Sequence, residues 1–393
     1  MGSQHKSLGE SLLEVAQISS LTMKGEFTYI DLSSVDKNEK QINLDQVSRI
    51  SWEDAPSRAR QLVKAGDVLV STVRPNLNGV ALVPCELDGA IASSGFSVLR
   101  SNPQYLDSQF LFHWVRSSQF IEDMTRKATG ASYPAVSDRI IHESVMPFPK
   151  LAEQQRIATI LGNADNIRRK RREALKLADE FLRSAFLDLF GDPVTNSKGW
   201  PLVPIENLAD VTTGNTPPRE IADYYGNHIE WIKSDNINTP SHYLTKAAEG
   251  LSQAGLRVGR SAASGSTLIT CIAGSPSCIG NAALADRPVA FNQQINAVTP
   301  REGIESEFLY ANVLFSKAKI QAASTQGMKG MVSKGALEKI RFIAPPPPLR
   351  KRFAQVFGRV TATTHQLERA ARESEQLCNS LTSRAFNGEL ASI

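Results

Sequence analysis

The sequence predicts a mixed α/β protein of the α+β kind: two pseudo-twofold-related globular domains separated by an antiparallel two-helix coiled coil. Three observations predict it. The chain repeats itself at a spacing of 196 positions, each copy closes on a long heptad-patterned segment, and proline precedes and glycine follows each such segment. Two copies in one chain imply a twofold relation in space. A length of 393 residues accommodates two domains of ordinary size.

The repeat is legible in several stretches. "PKLAEQQRIATILG" from Pro149 resembles "PPPLRKRFAQVFG" from Pro346, with Arg156, Ala158 and Gly162 matching Arg352, Ala354 and Gly358. Upstream, "KATGASYPAVSDRII" from Lys127 resembles "ASTQGMKGMVSKGAL" from Ala323, so Ser137 matches Ser333. "VLVSTVRPNLNGVAL" from Val68 resembles "TLITCIAGSPSCIGNAAL" from Thr267, and "LLEVAQI" from Leu12 resembles "LADVTTG" from Leu208. These matches divide the chain into a strand-rich domain at 1–149, a helical region at 150–192, a second domain at 193–345 and a second helical region at 346–393.

The first helical region carries a seam of Ile157, Leu161, Ala164, Arg168, Arg171, Leu175, Ala178, Leu182, Ala185 and Leu189. The second carries Phe353, Phe357, Val360, Thr364, Leu367, Ala371, Ser374, Cys378, Leu381 and Ala385. Steps alternating four and three are the 3.5-residue period of a coiled coil. Phe181, Phe186, Leu377 and Phe386 are expected to widen the apolar stripe. Pro149 and Pro345 to Pro348 hold the preceding chain out of helix, and Gly191 and Gly388 close the far ends. A helix of ~38 residues at ~1.5 Å per residue spans roughly 57 Å. Paired antiparallel, two such helices form a strut that fixes the separation of the domains. The basic run Arg168–Arg172 falls partly on the seam and is expected to lie chiefly on a solvated face.

Composition narrows the function classes. A net charge of +4 and a pI near 8.8 agree with nucleic-acid binding and with much else. Cys85, Cys271, Cys278 and Cys378 form no C-x-x-C and read as reduced thiols of a cytoplasmic protein. There is no Walker loop, no G-x-G-x-x-G after a strand, no H-E-x-x-H and no zinc pair. "GNTPPRE" at Gly214 approaches an amino-methyltransferase loop, but Asn215 is not followed directly by proline and Arg219 stands where the aromatic would be. A hydrolase built on Cys271 or a serine of "GSPSCIG" has no nominated base. No metal and no catalytic residue is assigned.

"LAEQQRIATIL" at Leu151, "FLRSAFLDLFGD" at Phe181 and "GWPLVPIENLADVTTGNTP" at Gly199, in two half-chains each ending on a heptad helix, resemble the specificity subunit of type I restriction-modification systems. The second copy departs from the pattern, with Arg350 and Lys351 where the family tends to have Glu-Gln. The resemblance implies two target recognition domains, each reading one half of a bipartite, gapped site in double-stranded DNA. It implies helices that set the gap and dock two modification (methyltransferase) subunits, with restriction subunits completing the complex. It also implies a subunit that is not itself an enzyme and holds no cofactor, S-adenosylmethionine and ATP with magnesium belonging to the partners. The alternative is a free-standing, sequence-specific DNA-binding regulator without a methyltransferase partner.

If the chain reads DNA, its base-edge contacts come from polar loops: Arg and Lys suit guanine, Asn and Gln suit adenine. In the first half these are Arg74, Asn76, Asn78, Lys127, Ser132 and Tyr133. In the second half they are Lys233, Asn236, Ser275, Asn281, Gln293, Gln294, Lys329 and Lys334.

Overall fold

The computed structural model describes residues 4–19, 23–325 and 330–392. The chain forms two compact units, and they do not follow chain order. One comprises residues 1–173 with 368–393, the other residues 174–367. The division falls inside both long helices, Leu151–Phe190 and Pro347–Phe386.

Each unit carries the same two four-stranded sheets. In the first unit one sheet runs Leu12–Leu13, Phe96–Ser101, Val68–Ser71, Val80–Leu82, antiparallel throughout. The matching sheet of the second unit runs Ala209–Thr213, Ile295–Pro300, Thr267–Thr270, Ala282–Leu284. The other sheet contains one parallel pair in each copy: Glu26–Ile30 beside Ile91–Ser93, and Tyr225–Ile232 beside Val289–Phe291. Its outer strands are Ser48–Ser51 and Ala59–Leu62 in the first unit, Gly250–Leu251 and Ser261–Ala262 in the second. A two-stranded ribbon ties the start of each domain to its end, Gln4–Ser7 with Val145–Phe148 and Leu202–Pro204 with Arg341–Ile343. Ser137 and Ser333 occupy the same role, each side chain capping a short helix by accepting from Ile140 and Ala336 N–H. The sequence repeat is therefore a repeat of topology.

The helices begin and end where their punctuation demands. Pro347 and Pro348 sit in the first turn of the second long helix, where a missing N–H costs nothing. Gly191, just past Phe190, takes φ +73°, and Gly388 takes φ +77°. Glycine occupies this left-handed conformation without a steric penalty. Each core draws on both helices. Ile157 and Leu161 from the first join Ala385 and Phe386 from the end of the second, against Phe110 and Trp114. In the second unit Phe186 and Phe190 pack with Phe308, Phe353 and Phe357. Within the first unit the helix segments run antiparallel: Arg156 donates to Leu390 O, Arg168 pairs with Glu375 and Arg171 donates to Ala370 O.

Two expectations about the helices are corrected. Phe181 and Leu377 do not widen the seam; each is 55% exposed, whereas Phe186 is fully buried. The basic run is not chiefly a solvated face. Arg168 is buried, with Asp165 at 2.6 Å and Glu375 at 3.3 Å, and Arg172 pairs with Glu375 at 2.8 Å and Glu39 at 3.4 Å. Asp165 on the same helix, Glu375 on the second long helix and Glu39 in a hairpin turn supply the carboxylates for Arg168 and Arg172, which lets these two cations pack. Among the described residues no helix is long and apolar enough to cross a membrane.

Candidate nucleic-acid interface

Two sequence-distant loops meet in each unit. In the first unit Val73 bridges Ala135, and Arg74 N–H donates to Pro134 O at 2.7 Å. Arg74 adopts φ +52°, a left-handed conformation unfavourable for a side chain that large. Its guanidinium lies 4.8 Å from the centre of the Tyr133 ring, which is 69% exposed. A guanidinium stacked on a ring keeps its N–H donors around its edge, available to a base or phosphate. Arg74, Asn76, Ser132 and Tyr133 are all exposed. Lys127 ends the helix Ser118–Lys127 that leads into this loop, and pairs with Asp123 at 2.7 Å.

Asn78 is corrected. It is buried, donates from Nδ2 to Val115 O at 2.8 Å, and its carbonyl accepts Lys40 Nζ at 2.6 Å. Its side-chain amide N–H is spent within the fold, on Val115 O, and not on an exposed loop edge.

In the second unit the same loop pairing recurs as a short ladder, Ile272 opposite Met331 and Ala273 opposite Gly330. Ser275 is exposed and shares a hydrogen bond with Ser277 at 2.8 Å. Asn281 is half-buried and held on two sides, donating to Asn238 at 2.7 Å and accepting from Lys317. Lys334 is exposed and pairs with Glu338 at 3.5 Å. Lys329 lies outside the described residues.

A second cluster gathers around Trp231. Lys233 pairs with Glu249 and sits 5.2 Å from the Trp231 ring. Arg219 lies 4.6 Å over Tyr225 and 4.9 Å over Trp231, with Glu249 at 2.8 Å. Lys233 and then Arg219 hold the Glu249 carboxyl below its ordinary range. Exposed Gln293 accepts from Thr216. Gln294 is half-buried, its carbonyl accepting Cys271 and Ile272 N–H. Asn236 is corrected like Asn78: buried, it accepts Lys233 N–H at 3.0 Å and donates to Lys246 O at 3.1 Å.

Arg219, Thr216 and Glu249 escaped the sequence reading. The signal was Gly214 at the head of "GNTPPRE": a Cβ there would overlap the carbonyl oxygens of Phe291 and Asn292. Only glycine lets the Thr216 loop lie against the Gln293 loop. Among the described residues no three His, Cys, Asp or Glu side chains are grouped to hold a metal ion.

Comparison with known proteins assigns this architecture. The type I restriction modification DNA specificity domain matches twice, over residues 19–177 and 197–376. The HindI specificity subunit of Haemophilus influenzae is 20% identical over 427 aligned positions, covering 86% of this chain and 89% of that protein. The MjaIX specificity subunit of Methanocaldococcus jannaschii is 28% identical over 169 positions, 41% of this chain and 38% of that one. A chain from a structural study of complex assembly and conformational transition in a type I R-M system shares 25% identity, with a TM-score of 0.58 over 99% of this chain and 98% of its own. The type I S subunit of M. genitalium, at 12% identity, shares the fold with a TM-score of 0.63 over 98% and 96% of the two chains. With two copies of the specificity domain spanning most of its length, the chain belongs to the family of type I restriction-modification specificity subunits.

Proposed function

We propose that the recognition domains at 1–149 and 193–345 each read one half of a bipartite, gapped DNA site. The helical regions at 150–192 and 346–393 set the gap and dock two methyltransferase subunits. The bond-making chemistry belongs to partners: adenine methylation with S-adenosylmethionine on the modification subunits, ATP- and magnesium-dependent cleavage on the restriction subunits. One observation carries the reading. The same loop pair in the same topology presents Arg74 and Tyr133 in one unit, and Ser275 and Met331 in the other. Equivalent frames with unlike side chains are what two different half-sites require. Exposed Asn76, Ser132 and Lys334 lie in or beside these loops and Lys127 ends the helix leading into the first, while exposed Gln293, together with Lys233 and Arg219, belongs to the cluster around Trp231 in the second unit.

Methylome sequencing of cells expressing the chain with its methyltransferase tests this. The expected outcome is adenine methylation at a two-part motif with a fixed gap. A continuous, ungapped motif, or none, refutes it.

A further inference from the structure

Glu249 is held in place by backbone, not only by the cations it pairs with. Its carbonyl accepts Trp231 N–H at 3.0 Å, and a Cβ on the next residue, Gly250, would overlap the carbonyl oxygens of Gly226 and Ile229. Each carboxylate oxygen then takes one cation, Oε1 from Lys233 and Oε2 from Arg219 at 2.8 Å. Arg219 has a seat of its own, over the Tyr225 and Trp231 rings. It is exposed and gives Glu249 only Nη1, so the rest of its fork is open to a ligand.

The cluster adjoins the loop pair that presents Ser275 and Met331. Thr216 donates to Gln293, and the neighbouring Gln294 carbonyl accepts from Ile272, which stands opposite Met331. The first unit does not repeat the triad. Ile91 and Ala290 hold the same place in the matching sheets, and their parallel partners are Tyr29 and Trp231. Ser48 stands opposite Tyr29, whereas Glu249 faces Trp231. Asp31 lies two positions after Tyr29, whereas Lys233 lies two after Trp231. A scaffold contact would recur in both copies, and this one does not.

We propose that Glu249 is a specificity-determining residue of the second recognition domain: its carboxylate aims Arg219 at a base edge and rejects DNA phosphate from Arg219 and Lys233. The proposal rests on the half-site reading above. A phosphate approaching either cation must displace Glu249 and stand beside its negative charge. A guanine edge, neutral and accepting at O6 and N7, meets no such repulsion. Discrimination then comes from what the triad excludes as well as from what it binds.

Glu249→Gln keeps the size of the side chain and removes its charge. The chain in complex with its methyltransferase is titrated by fluorescence anisotropy across a salt series, with the gapped motif found by methylome sequencing and with random duplex. Near 0.1 M salt the variant is expected to bind random duplex about fivefold or more tightly, with a salt slope steeper by about 0.9, as one added phosphate contact requires. Affinity for the motif should change by less than about twofold, so preference for the motif falls. Arg219→Gln tests the other half: the motif should bind about tenfold more weakly, with random duplex unaffected. Equal gains on both duplexes in Glu249→Gln, no gain on random duplex, or equal losses on both in Arg219→Gln overturns the proposal. An absent or ungapped motif refutes the half-site reading instead, so the two failures are distinct.

Discussion

Arg74 combines a left-handed backbone with a side chain laid on an exposed tyrosine. Such strain persists only where surrounding structure enforces it, and it clusters at binding sites. Arg74→Ala is expected to weaken cognate DNA binding by about 1–3 kcal/mol, read by fluorescence anisotropy. Arg74→Lys should not restore it, since an ammonium is not a planar fork. An equal loss on cognate and random duplex would mark a phosphate contact. His113 makes a different prediction. Burial, then the Arg116 charge, pushes its imidazole down to about 3, so it is neutral in the folded chain at neutral pH. The unfolded chain takes up that proton near 6.5. Below 6.5 the unfolded state therefore binds more protons, and stability falls with pH by up to about 1.4 kcal/mol per unit. Thermal melts from neutral pH down to 5 should show this slope, and His113→Gln should flatten it. A residue's chemical type was legible from sequence; its burial was not. Asn78 and Arg74 lie four positions apart in one loop, yet one faces inward.

At the scale of elements, the long helices were legible because period and punctuation are local properties. Proline, the 3.5-residue step and a terminal glycine all act within a turn or two. Less legible was what each face meets. Phe186 is fully buried among Phe190, Phe308, Phe315 and Phe353. Phe186→Ala should cost roughly 3–5 kcal/mol in denaturant unfolding, whereas Phe181→Ala, at an exposed position, should cost under about 0.5 kcal/mol. Comparable losses in the two variants would contradict the observed helix face. The basic run shows the same division. Five cations in a row announce a charged helix, but Glu375 and Glu39, which pair with two of them, lie far away in sequence.

At the scale of the whole molecule, the two units share a topology, and each takes its core partly from both helices. Under the proposed function, helix length is a quantity the DNA site reports. Inserting one heptad in both helical regions adds roughly 10 Å to the pair. At 3.4 Å per base pair, that predicts a gap longer by about three base pairs. Methylome sequencing of the insertion variant checks it; an unchanged gap would separate helix length from site spacing.

By itself the sequence determined the duplication, the two heptad helices with their ends, and the family resemblance, because repeats, periodicity and breakers are properties of the chain read in order. Only the tertiary structure decided how the chain closes: residues 368–393 return to the first unit, Val73 meets Ala135, and Gly214 admits the Thr216 loop. These pairings join residues far apart in sequence. They are set by which surfaces bury together and which polar groups find partners, and no local pattern encodes that.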